Sequence, residues 1–317
     1  MHGIGWGLVL GGGGAVGTAY VAGALKALEE AGLVLDSAAL MVGTSAGAIA
    51  AAQLRLGQGP EAVLAAADAS PDPDAAGPAK HYAPAWSTRG EKYRRVIGAG
   101  GVITRSMLKV PLPMPSARVQ KSFPPGLFRI RDQRRVEEML PEAWVSKDLW
   151  LVAYDVAARR REALGRRPEH RQHSMRDAVL ASCAVPGFYE PIMIGSRMYV
   201  DGGVSSTTNL DLAVKHGCQQ IICIAPMPYQ VPGRPTAGQR VLRRSAMRSL
   251  RIEMSQAGER NRDVLLIIPS VDDLAVHGRN ILRGSGNAVV AERSYEQTHN
   301  LLRQPRAERF IFPATAV

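Results

Sequence analysis

The sequence predicts an α/β fold: a three-layer sandwich with a mostly parallel central sheet and a proline-rich, basic, lid-like insertion at about residues 70–135. Three observations lead there. Short apolar runs alternate with segments of helical period from the N-terminus onward, the pattern of βαβ units with parallel pairing. Glycine clusters and single glycines punctuate those transitions. Nine prolines between residues 70 and 125 break the periodicity, as in a long functional loop. The whole, residues 1–317, reads as a single domain of ordinary globular composition, with 46% hydrophobic and 21% charged residues.

The elements follow in chain order. An apolar run at 4–10 ends in four glycines and reads as a first strand. Helical spacing from 17 to 32 places Tyr20, Ala24, Leu25 and Leu28 on one face, and Gly32 stops it. A second strand at 40–42 and an alanine-rich helix to residue 56 complete a βαβ unit. After the insertion, a helix is expected at 132–140 and a strongly apolar strand at 149–156. Beyond that come a helix at 174–182, strands at 191–194 and 198–200, a helix after Asn209 and a strand at 220–224. A basic amphipathic helix spans 238–260, with Arg240, Arg243, Arg244, Arg248 and Arg251 on one broad face. A strand at 263–268 and a helix at 287–302 close the chain.

Charge is unevenly spread. The net formal charge is +11, and residues 89–135 alone carry 12 basic and 2 acidic side chains. Such a field favours polyanions, phosphate-bearing substrates or an anionic membrane surface, the last as a peripheral contact. Nucleic acid is not expected, because the basic segment has few aromatics on which bases could stack. Three cysteines, Cys183, Cys218 and Cys223, are too few for a disulfide framework or a four-ligand zinc site, so neither metal nor cofactor is expected and a reducing compartment is the default. The N-terminus lacks the basic start of a signal peptide, and a cytoplasmic location follows as the expectation. Nothing in the sequence fixes the oligomeric state.

Two glycine motifs carry chemistry. Gly12-Gly13-Gly14-Ala15-Val16-Gly17 lies between a strand and a helix, where backbone N–H groups converge on a negative oxygen, whether phosphate or oxyanion. Gly43-Thr44-Ser45-Ala46-Gly47 fits G-x-S-x-G at a strand-to-helix turn, with Gly43 and Gly47 making room for an exposed serine hydroxyl. A serine nucleophile needs a base. His277 and His299 sit in no convincing catalytic turn and read as surface or capping residues. Asp201 ends a strand and begins Asp201-Gly202-Gly203, whose glycines leave its surroundings uncrowded. An Asp-Gly hairpin turn is the competing explanation of that segment.

These two motifs, together with Ala181-Ser182-Cys183-Ala184-Val185-Pro186-Gly187-Phe188 and Asp201-Gly202-Gly203, resemble the patatin-like phospholipase family in order and over roughly the first two-thirds of the chain. The resemblance implies Ser45 as nucleophile, Asp201 as its partner in a dyad without histidine, and Gly12, Gly13 and Gly14 as the oxyanion hole, with Gly17, Gly43, Gly47, Gly202 and Gly203 in support. The expected substrate is a phospholipid or lysophospholipid ester. One departure stands out: Val16 occupies a position where many members carry Lys or Arg. It motivates the alternative of a weakly active or non-catalytic acyl- or lipid-binding protein. A third alternative, a nucleotide-binding oxidoreductase using Asp36 for the ribose, leaves Ser45 and Asp201 unexplained.

Overall fold

The computed structural model describes residues 5–69, 84–108, 112–129, 138–230, 239–278 and 280–310. In chain order the elements are β1 (Gly7–Leu10), α1 (Gly14–Glu30), β2 (Leu40–Thr44), α2 (Ala46–Arg55), α3 (Pro60–Asp68), α4 (Arg89–Ser106) and α5 (Ala117–Ser122). Then follow β3 (Leu149–Asp155), β4 (Arg160–Leu164), α6 (Met175–Cys183), β5 (Ile192–Ile194), β6 (Arg197–Asp201), α7 (Asp211–His216) and β7 (Gln220–Ile224). The last are α8 (Arg240–Glu259), β8 (Asp263–Ile267), α9 (Val271–His277) and α10 (Asn287–Leu302). The fold is α/β, as the sequence predicts.

The chain forms two compact units. The first comprises residues 1–72, 145–150 and 206–317, and the second 73–144 and 151–205. In the first, four strands run parallel in the order β2-β1-β7-β8. Val9 sits in register with Val42 on one side and Cys223 on the other. Every residue of β1 and β2 is buried, because parallel strands with helical crossovers are covered on both faces. Helix α1 packs on α10 at backbone contact: a Cβ on Gly23 would stand 1.9 Å from the Ala291 carbonyl oxygen, so only glycine allows the approach. Ser294 Oγ locks the pair by donating to Tyr20 O at 2.7 Å.

In the second unit the pairing is antiparallel: β6 lies between β5 and β3, and β4 pairs with β3. The described parts of the proline-rich insertion belong to this unit. They hold what sequence periodicity missed, the 18-residue helix α4. Its inner face reads Arg95, Ala99, Val102, Arg105, Ser106, so two arginines occupy positions where an apolar period would show. Both are satisfied. Arg95 pairs with Glu190 at 2.6 Å, and Arg105 donates to the carbonyls of Val156 and Ala157 at 2.7 and 3.0 Å. Thr88 caps the helix by accepting from the Glu91 N–H.

Other boundaries also differ from expectation. Helix α1 starts at Gly14, not Gly17, because the glycine loop is itself the first turn. The expected helix at 132–140 falls largely outside the described residues. Helix α8 corrects the sequence reading of its basic face: Arg243 is 1% exposed while Val241 is 77% exposed. The inner stripe is Arg243, Ala246, Leu250, Glu253, Ala257, spaced by threes and fours, and the arginine at its head finds enough acceptors to be buried.

Candidate functional site

The first unit assembles the glycine loop and the serine turn at the carboxyl ends of β1 and β2, where open parallel sheets gather their ligands. Ser45 has φ 53° and ψ −119°, a left-handed backbone that a serine adopts only when its surroundings impose it. The surroundings are the glycines of the motif. A Cβ on Gly43 would lie 2.5 Å from the Gly47 carbonyl oxygen, and one on Gly47 only 2.0 Å from that of Leu10. The turn is therefore pressed directly onto β1. Thr44 is fully buried, and its hydroxyl accepts from Asn209 Nδ2 at 2.9 Å.

The glycine loop lies against the serine. A Cβ placed on Gly12 would be 3.1 Å from Ser45 Cβ and 3.8 Å from its Oγ, so a side chain there would crowd the hydroxyl. Gly14 has φ 63° and faces the Ile281 carbonyl oxygen, 2.6 Å from where its Cβ would stand. The donors of the loop are not equivalent. The Gly12 N–H donates to Thr207 O at 2.8 Å and is spent within the fold, which removes it from the expected oxyanion trio. Gly13 and Gly14 open α1, whose first N–H groups have no intrahelical acceptor. Val16, 1% exposed, turns its N–H to Ile281 O at 3.1 Å.

The second unit holds Asp201 as the last residue of β6, opposite Ala153 of β3. It is 6% exposed. Its Oδ1 accepts from the Gly203 N–H at 2.7 Å, and its own N–H donates to Ala184 O at 2.9 Å. A single-turn 3₁₀ helix (Gly202–Val204) follows, not a hairpin. Gly202 is obligatory, since its Cβ would meet Val152 O at 2.3 Å. The Ala-Ser-x-Ala segment has its part here: Ser182 Oγ bonds Val152 O at 2.6 Å, fixing the end of α6 to β3, and Ala184 then receives Asp201.

The remaining titratable candidates are structural. His277 is buried, not a surface residue; its Nδ1 faces Arg243 Nη2 at 3.0 Å and its ring meets Tyr20 edge-on. Burial above all, then the Arg243 and Arg283 guanidiniums, pushes its imidazole down to about 3. His299 is exposed and stacks on Tyr295. Asp36 is held by Arg55 at 3.2 Å and by Lys147, an ion-pair role. No cysteine competes as nucleophile, because burial pushes all three thiols up, with the Asp201 carboxylate a further cause at Cys183. Among the described residues no group of His, Cys, Asp and Glu could hold a metal ion.

The model of the patatin-like phospholipase family matches residues 8–214, which takes in all of β1 but its first residue, both glycine motifs and Asp201. The chain belongs to this family. The patatin-like chain is 28% identical over 228 residues to an uncharacterized NTE family protein of Mycobacterium tuberculosis (strain CDC 1551 / Oshkosh), covering 72% of itself and 31% of that protein. It is 29% identical over 231 residues to an uncharacterized NTE family protein of Mycobacterium bovis, with the same two shares. It thus spans about a third of the length of these curated relatives. Among solved structures it is similar to VipD from Legionella pneumophila, at 16% identity and a TM-score of 0.46, over 95% of this patatin-like chain and 67% of that one.

Two supports of the site were not legible beforehand. Thr207 and Asn209 tie the Gly12 loop and the Thr44 turn to one short segment, with Ser206 Oγ accepting from the N–H groups of Thr208 and Asn209. Their only sequence signal is a Ser-Thr-Thr-Asn cluster, which reads equally well as any polar loop.

Proposed function

We propose that this patatin-like chain is a serine acyl hydrolase acting on lipid esters, a phospholipid or lysophospholipid. Ser45 is the nucleophile, Asp201 its proton acceptor, and the N–H groups of Gly13 and Gly14 the oxyanion donors. The observation that carries the reading is Ser45 itself: a hydroxyl held on a strained strand-to-helix turn, with the glycine loop alongside. A strained backbone of this kind persists where function uses it.

In the first half-reaction Ser45 Oγ attacks the ester carbonyl as its proton passes to the Asp201 carboxylate, and the carbonyl electron pair moves onto the oxygen facing Gly13 and Gly14. Collapse of the tetrahedral adduct breaks the bond to the alcohol, which leaves with the proton held by Asp201. Water then attacks the acyl-serine, giving its proton to Asp201, and release of the fatty acid returns that proton to Ser45. Asp201 is 6% exposed and its Oδ1 is held by the Gly203 N–H, which fixes the orientation of the carboxylate. Val16 costs the loop a cation but leaves these backbone donors in place.

The test joins labelling to hydrolysis. A fluorophosphonate should add one phosphonyl group to Ser45 of the folded protein, read by intact mass. Across a short-to-long acyl ester series, Ser45→Ala and Asp201→Asn should each lower kcat by at least about 10³-fold. Folded protein that takes no label would instead be an acyl- or lipid-binding member of the family.

A further inference from the structure

Helix α4 is bolted to the second unit on one side and bare on the other. Val102 packs with Tyr154, Val156 and Val200, and Arg95 and Arg105 are anchored as described above. On its outer side Tyr93 and Ile97, one turn apart, are 70% and 61% exposed, and Val96 beside them is 48% exposed. The end of α5 sits directly against this helix: a Cβ on Gly98 would lie 2.3 Å from the Phe123 carbonyl oxygen. Helix α5 and the residue that ends it add exposed Val119 and Phe123, again four apart.

Among the described residues, the unpaired excess of charge around this surface is basic. Arg89, Lys92, Arg94, Arg118 and Lys121 are all exposed; within residues 84–108 and 112–129 the acidic residue is Glu91, held by Ser87 and Arg95, and the neighbouring Glu190 is taken up by Arg95 and Arg129. On α4 the helical spacing puts Lys92 and Arg94 on opposite flanks of Tyr93 and Ile97. A narrow apolar stripe with long cationic side chains to either side matches a lipid interface, where aromatic and aliphatic groups enter the acyl boundary and cations rise to phosphates. A second copy of the chain is disfavoured by the same charges, which would face one another across a symmetric contact.

We propose that the α4–α5 surface docks the protein onto an anionic lipid bilayer, with Tyr93, Val96, Ile97, Val119 and Phe123 entering it and Lys92, Arg94, Arg118 and Lys121 meeting its headgroups. Docking is peripheral: among the described residues no helix is long and apolar enough to cross a membrane. The proposal stands on this surface alone and does not require Ser45 to be a nucleophile.

Cosedimentation of the full chain with vesicles tests it, using phosphatidylcholine alone or mixed with phosphatidylserine. The wild type should favour the mixed vesicles. Lys92→Gln/Arg94→Gln should bind them about 30-fold more weakly, at about 1 kcal/mol for each cation removed. Tyr93→Ser/Ile97→Ser should weaken binding to both vesicle types. All these positions are exposed, so thermal unfolding should match the wild type. Hydrolysis of a soluble short-chain ester separates this proposal from the enzymatic one: the surface variants should retain it, and Ser45→Ala should lose it while still binding vesicles. The docking proposal is overturned if the wild type ignores phosphatidylserine vesicles at low salt, or if Tyr93→Ser/Ile97→Ser binds as the wild type does. A wild-type dimer that the same variant dissociates would overturn it too, by making this face a protein contact.

Discussion

Arg243 spends its charge holding a loop. Its Nε reaches Gln239 Oε1 at 2.6 Å, and Nη1 reaches the carbonyls of Pro226 and Met227 at 2.9 and 3.0 Å. Pro226 in turn presses on the glycine loop, its Cβ 3.0 Å from where a Gly13 Cβ would be. The remaining nitrogen, Nη2, meets His277, and this has a pH consequence. In the unfolded chain His277 titrates near its ordinary value of about 6.5. In the fold it accepts a proton only near 3. Between those values the unfolded state binds the extra proton, so stability should fall as pH is lowered from about 6.5 toward 3. Thermal unfolding across that range should show the decline, and His277→Gln should flatten its share of it. Neither residue announced this role in sequence, because an arginine on a basic helix and a histidine before a glycine are both commonest at the surface.

At the scale of elements, what could be read in advance follows from what each segment buries. Strands β1 and β2 and the turns after them were legible because a fully buried parallel strand must be apolar throughout and a close approach of backbones must be glycine. Gly43, Gly47 and Gly202 are in place for that reason alone. Helix α4 was not legible, since its buried face uses arginines whose partners, Glu190 and the carbonyls of 156 and 157, are remote in sequence. The junction of α6 with β3 offers a direct test. Ser182→Ala leaves the Val152 carbonyl without its side-chain donor and should cost about 1–2 kcal/mol in denaturant unfolding. Because Ala184, two residues on, receives the Asp201 N–H, the same variant should also lower kcat on a soluble ester more than it changes KM.

Over the whole molecule the basic excess is local, and its effects should be separable from the chemistry. Hydrolysis of a small neutral ester should change little between low and high salt. Hydrolysis of the same acyl group presented in anionic vesicles should fall steeply as salt shortens the Debye length from about 30 Å at 0.01 M to about 10 Å at 0.1 M. The pose of Ser45 has a consequence for the global energy balance. A hydroxymethyl group at φ 53° is a standing debit of about 1–3 kcal/mol against the folded state. Ser45→Gly removes that debit, so the variant should melt at a higher temperature than the native protein, as read by thermal unfolding.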